Sequence, residues 1–104
     1  MNITKLYRQG DVLLVAIDKA PRSGCKIRKD GVLLEGEATG HCHRVADLTA
    51  AELYDIGDRL YLSVFEQGVS IVHEEHLPIR LPAGDYEVRR QREYNPEAIR
   101  NVDD

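Results

Sequence analysis

No apolar run in this 104-residue chain approaches the roughly 20 residues that a membrane-spanning helix requires, so no such span is expected. The amino terminus, MNITKLYRQGDVLL, lacks the basic region, long apolar stretch and small-residue cleavage site of a secretory signal. Cysteine is scarce. Cys25 and Cys42 make neither a CxxC pair nor a disulfide framework, which fits a reducing, cytoplasmic setting with both as packed thiols. Nor is there an excess of positive charge. A formal net charge of -4 argues against strong duplex nucleic-acid binding, while leaving room for a local basic patch that holds a small anionic ligand or nucleotide. Internal repeats, low-complexity tracts and linkers are missing, helical periodicity is slight, and no glycine-rich loop opens onto a helix. Gly36, Gly40 and Gly84 therefore read as turn formers.

What remains is an ordinary globular composition, 42% hydrophobic and 31% charged, of a length that supports one core. The expectation is a single domain over residues 1–104, with about 95–104 as a carboxy-terminal tail or a terminal helical turn begun by Asn95-Pro96-Glu97. Val12 to Ile17 is a near-continuous branched run that reads as a strand buried on both faces, started by Gly10-Asp11. Asp18 to Lys26, with Pro21 and Gly24, is a loop. Asp30-Gly31 between two β-prone runs predicts a hairpin of Ile27–Lys29 with Val32–Glu35, because both turn positions tolerate positive φ. Gly36 to Gly40 predicts a bend or bulge. Thr49 and Glu52 have capping-box spacing and predict one short helical turn ended by Gly57. Leu60–Glu66 and Val69–His73 flank Gln67-Gly68 as a second predicted hairpin. Ile79–Leu81 is a brief extended piece. After the turn Pro82–Asp85, a last strand from Tyr86 to Tyr94 carries Tyr86, Val88, Arg90, Arg92 and Tyr94 on one face, the tyrosines as packing residues. Together these predict an all-β fold: a small β-barrel, or a sandwich curled towards one, of short antiparallel strands. Its exposed hairpin edges make a homodimer an expectation.

The four histidines of the chain fall into two runs, GEATGHCHR (Gly36–Arg44) and HEEHLP (His73–Pro78), with Glu37, Glu74 and Glu75 beside them. On a strand, residues two apart share a face, so His41 and His43 point one way while Cys42 and Arg44 point the other, which makes Cys42 a core candidate. Imidazoles and carboxylates are the ligands of divalent zinc, manganese, nickel or iron. The expected metal set is His41, His43, His73, Glu75 and His76, closed by a carboxylate or left open for a water whose pKa falls towards about 7. The catalytic candidates are His41, His43, His73, Glu74 and Arg44, with Glu74 or Glu75 carrying a proton. A second reading needs no metal: two histidines act as acid and base while arginines, among Arg44, Arg80, Arg89, Arg90 and Arg92, steady a phosphoryl group. Arg80, Arg90 and Arg92 are then the substrate-binding candidates, for RNA or a cyclic nucleotide. In the plainest reading the histidines cap turns and pair with glutamates, and the arginine-rich strand is a solvated face with Arg–Glu pairs.

The segments RQGDVLLV, GEATGHCHR, HEEHLPI and LPAGDYEVRRQREY resemble a family of short, largely uncharacterised bacterial and phage proteins that share GExTGHxH and HxEHxP runs. The resemblance spans Tyr7 to Tyr94 and implies no particular activity. A looser similarity, to cupins, implies a metal-binding barrel with an HxH pair near a glycine, although Val45-Ala46-Asp47 stand where cupins carry a carboxylate. Two function classes follow: a histidine-centred hydrolase of phosphodiesterase type, and a non-catalytic metal-binding or interaction module on a cupin-like barrel.

Overall fold

The computed structural model describes residues 5–36 and 40–91. Within them lie ten strands: β1 (Leu6–Gln9), β2 (Val12–Ile17), β3 (Lys26–Ile27), β4 (Val32–Glu35), β5 (Cys42–Val45), β6 (Ala51–Ile56), β7 (Arg59–Val64), β8 (Val69–Val72), β9 (Ile79–Leu81) and β10 (Gly84–Arg90). They form two antiparallel sheets, one of six strands in the order β1-β2-β10-β7-β6-β3 and one of four in the order β4-β5-β8-β9. The fold is all-β, and the two sheets stay separate rather than closing into a barrel, which makes it a curled sandwich. No helix of the described residues is long and apolar enough to cross a membrane.

Period-two alternation builds the core between the sheets. Val12 and Leu14 of β2, Leu53 of β6, Leu62 and Val64 of β7 and Tyr86 of β10 pack against Leu33, Val45, Val69, Ile71 and Leu81 of the smaller sheet. The other face of the six-stranded sheet carries a satellite cluster. There Tyr54 and Tyr61 pack with Ala20 under the 18–25 loop, and the Arg22 guanidinium sits 4.6 Å over the Tyr54 ring. One face of β2 is thus in the core while Leu13 and Val15 on the other are half-buried, a correction to the strand expected to be buried on both faces.

Both predicted hairpins turn where expected but pair differently. Every consecutive pairing is shifted by one strand: β1 with β2, β4 with β5, β6 with β7 and β8 with β9. Asp30-Gly31 is a corner between sheets. Arg28 ties β3 to β6 through a two-pronged bond to Asp55 and its amide bond to the Leu53 carbonyl, so β4 leaves to meet β5. Gly68, at φ +73, closes a turn onto Phe65, but both edges of β7 are already taken by β10 and β6, so β8 joins the other sheet. The helical turn expected from Thr49 and Glu52 is absent. Asp47 accepts both the amide and the hydroxyl of Thr49, Glu52 pairs with Arg22 at 2.6 Å, and the chain runs straight into β6. The bulge falls at Leu33 in β4; Gly40, at φ +76, turns the chain into β5, and Glu37 lies outside the described residues. So do Arg92, Tyr94 and the expected tail.

Candidate metal centre

The register of β5 on β8 decides the site. Val45 opposes Ile71 and Arg44 opposes Val72, so His43 on β5 lies next to the point where the chain leaves β8 at His73 and bends through Glu74–His76. On β5 alternation sends His43 inward and Cys42 and Arg44 outward. His41, His73, Glu75 and His76 line the same cavity as His43, and Glu74, in the bend after β8, reaches the Cys42 amide and Arg44. The two histidine runs therefore meet. Ring centroids are 4.3 Å apart for His43–His73, 4.5 Å for His73–His76, 5.6 Å for His43–His76 and 5.7 Å for His41–His73. Cys42 is half-buried rather than in the core, with its sulfur 3.5 Å from an Arg44 nitrogen.

The third contributor is the β1–β2 turn, Gln9-Gly10-Asp11, which the histidine pattern does not announce. Gly10 has φ +59, and a Cβ there would fall 2.7 Å from His76 Nε2, so the missing side chain is the space the His76 ring occupies. Gln9 is buried and its amide is fully used. Its Nε2 donates to the Ile71 and Leu77 carbonyls, both at 2.9 Å, which bracket the HEEH run at either end. Its Oε1 must then face the His43 ring, 2.8 Å from Nδ1. His43 Nδ1 accordingly carries the hydrogen, and in the neutral ring Nε2 is a bare lone pair. Such a second bond to a carbonyl-type oxygen is how ligating histidines are oriented.

His43 Nε2 looks onto Asp11 Oδ1 at 3.4 Å. Burial, and after it the neighbouring His73, push the His43 pKa down against the pull of Asp11, which favours the neutral ring. A lone pair and a carboxylate oxygen then lie close together, and either a hydrogen on Nε2 or a metal ion held by Nε2 relieves their repulsion. One ligand atom from each of His43, His73 and His76 lies within 4.8 Å of the others, and the same holds for His41, His73 and Glu74. His73 Nδ1 accepts the Glu75 amide at 3.0 Å, so an ion at this ring replaces that bond, either by taking Nδ1 itself or by taking Nε2 with the ring hydrogen moved to Nδ1. The rings open on a cavity of about 180 Å³, walled also by Asp11, Leu34, Glu35 and Glu75. A larger groove of about 710 Å³ runs along β4 from Arg28 to Glu35, but its walls carry none of the histidines, so the chemistry points to the smaller cavity.

The remaining expected site residues are placed as follows. Glu74 takes the Cys42 amide on one oxygen and Arg44 on the other, and these backbone bonds, including its own amide, hold its pKa down to about 2. It is a fixed anion that clips the HEEH run to β5 and carries no proton near neutrality. Arg44 and Arg80 lie outside the cavity, Arg80 on the Ser70 hydroxyl and the Gln67 carbonyl. Arg89 pairs with Glu87 on the outer face of β10. Arg90 alone of the described candidate arginines adjoins the centre, its Nε 3.6 Å from Asp11 Oδ2. Asp11, Gln9 and Gly10 were not singled out as site residues. The available signal was RQGDV, a polar turn between two β-prone runs with glycine at its first central position.

Searches of the curated proteins and of the solved structures return no match. A family model described as "Domain of unknown function (DUF8820)" matches residues 8–91, which include both histidine runs and the Gln9-Gly10-Asp11 turn. The chain belongs to this DUF8820 family.

Proposed function

We propose that the protein is a small metal-dependent hydrolase, in which a divalent ion at His43, His73 and His76 activates water against a phosphoester. The observation that carries this reading is the His43 ring, with Nδ1 2.8 Å from Gln9 Oε1 and Nε2 turned to Asp11 at 3.4 Å, and with two further imidazoles whose ligand atoms converge on it. Three histidines with an open position suit zinc, nickel or iron, and such an ion supplies Lewis acidity and a water of pKa near about 7. The protein's own residues supply the rest. Gln9 orients His43, Gly10 admits His76, Asp11 stands beside the open position to accept the water's proton, and Arg90 offers charge to the substrate anion. The metal-free acid–base alternative needs several arginines around the histidines, and it has less support because Arg44, Arg80 and Arg89 are engaged elsewhere.

The test is metal analysis of tag-free protein, followed by hydrolysis of bis(p-nitrophenyl) phosphate before and after chelation. Bound divalent metal, loss of turnover on chelation and recovery on metal return are expected. Full turnover in metal-free protein contradicts the reading. A non-catalytic metal-binding module is the second reading, favoured by the cavity volume of about 180 Å³, small beside the about 300–1,000 Å³ of typical small-molecule pockets. It expects metal binding with no turnover of any phosphoester offered.

A further inference from the structure

The walls of the histidine cavity carry a net negative charge that one divalent ion neutralises without excess. Asp11, Glu35 and Glu75 line it, and Arg90 beside Asp11 is the cation at its edge. Glu74 is already matched by Arg44. One divalent ion brings this wall to neutrality; a second gives it the positive potential that holds a phosphoester. The ligands for a second ion are present at the mouth. His41, His73 and Glu74 bring one ligand atom each within 4.8 Å of one another, and Glu75 Oε1 lies 3.6 Å from His41 Nδ1. Of the four rings, His73 is the one that touches all three others.

We infer a second divalent-cation position at the cavity mouth, formed by His41, Glu74 and Glu75 on the His73 side of the three-imidazole position. The inference rests on the metal reading above and deepens it to a two-ion centre. The two positions differ in chemistry. The inner set is nitrogen-rich and includes the buried His43, whereas the outer one is oxygen-rich and open, with the Glu75 side chain 67% exposed, so it favours a harder ion such as manganese and binds more weakly. Paired ions of this kind clamp the attacking and leaving oxygens of a phosphoryl group.

The experiment is titration of metal-free, tag-free protein with Mn²⁺ and, separately, Zn²⁺, counting bound ions per chain by calorimetry and elemental analysis. The wild type is expected to take up two ions, the second at least tenfold more weakly. His41→Ala and Glu75→Gln are each expected to take up one, while His43→Ala loses the tight phase. Glu75 is exposed, so Glu75→Gln reports on the ion without threatening the fold. A wild type that saturates at one ion overturns the second position, as do both variants still holding two. If that single ion is lost in His43→Ala, the three-imidazole reading stands and only the second position falls. A wild type that binds none overturns both.

Discussion

Replacing Gly10 with alanine separates the architecture of the site from the stability of the fold, because the molecule contains its own control. Gly10 and Gly57 each open a two-residue Gly-Asp turn, between β1 and β2 and between β6 and β7, with φ of +59 and +60. An alanine at either position meets the same backbone penalty, about 1–2 kcal/mol for a left-handed L-residue. In a domain of this size that is a fall in Tm of roughly 5–15 °C. The surroundings differ. The new methyl at position 57 meets nothing within 4 Å, whereas at position 10 it lies 2.7 Å from His76 Nε2 and 3.1 Å from its Cε1, closer than atoms pack. The His76 ring must swing away, and an ion held by three imidazoles loses one of them. Gly10→Ala and Gly57→Ala should therefore lose comparable stability in the metal-free state, but Gly10→Ala alone should bind Zn²⁺ at least about tenfold more weakly, in the range expected when a ligand's support is removed. Thermal melts without metal and calorimetric Zn²⁺ titrations read the two effects separately. Equal Zn²⁺ affinity in the two variants would refute the placement of His76 against Gly10 as a requirement of the site.

Other consequences are open to simple measurement. Gln9→Leu leaves the Ile71 and Leu77 carbonyls without their buried donor and frees the His43 tautomer; it should cost about 2–4 kcal/mol by urea unfolding and weaken metal binding about 10–100-fold. The His43 pKa is lowered in the folded state, so the unfolded chain binds more protons below its reference value of 6.5. Metal-free stability should hold level above that pH and fall as the pH drops below it towards the folded value. Urea midpoints that rise on acidification from pH 7 to 5.5 in wild type relative to His43→Gln would contradict the neutral buried ring. Tyr86 donates to the Pro82 carbonyl at 2.7 Å, and burial raises its pKa to about 12. Its contribution to stability is full below pH 10 and declines as the pH rises towards 12, so Tyr86→Phe should flatten the alkaline limb of the unfolding curve.

The strands were largely legible because the period-two pattern is strong: Val12 and Leu14, Leu60 to Val64 and Val69 to Ile71 could hardly be anything else. Their partners were not. Asp30-Gly31 and Gln67-Gly68 specify chain reversal, but whether the reversed strand stays in its sheet depends on which edges are already occupied and on the distant Arg28–Asp55 contact, neither of which is local. Thr49-x-x-Glu52 misled for the opposite reason, since Asp47, two residues before Thr49, captures the turn. The HxH pair and the HEEH run were readable as a cluster, and the β5–β8 register brings them together. The Gln9-Gly10-Asp11 turn was invisible as site chemistry, because glutamine orienting a ring and glycine making room for one leave no ligand-like signature in sequence.

The direct measurement of the central claim is a long-range ¹H–¹⁵N spectrum of protein labelled with ¹⁵N-histidine, recorded without and with Zn²⁺. The expected result is a neutral His43 with its hydrogen on Nδ1 and a bare Nε2 whose resonance moves on adding Zn²⁺, together with those of His73 and His76. A His43 hydrogen on Nε2, or Zn²⁺ leaving all three rings unmoved, would contradict the proposed metal centre.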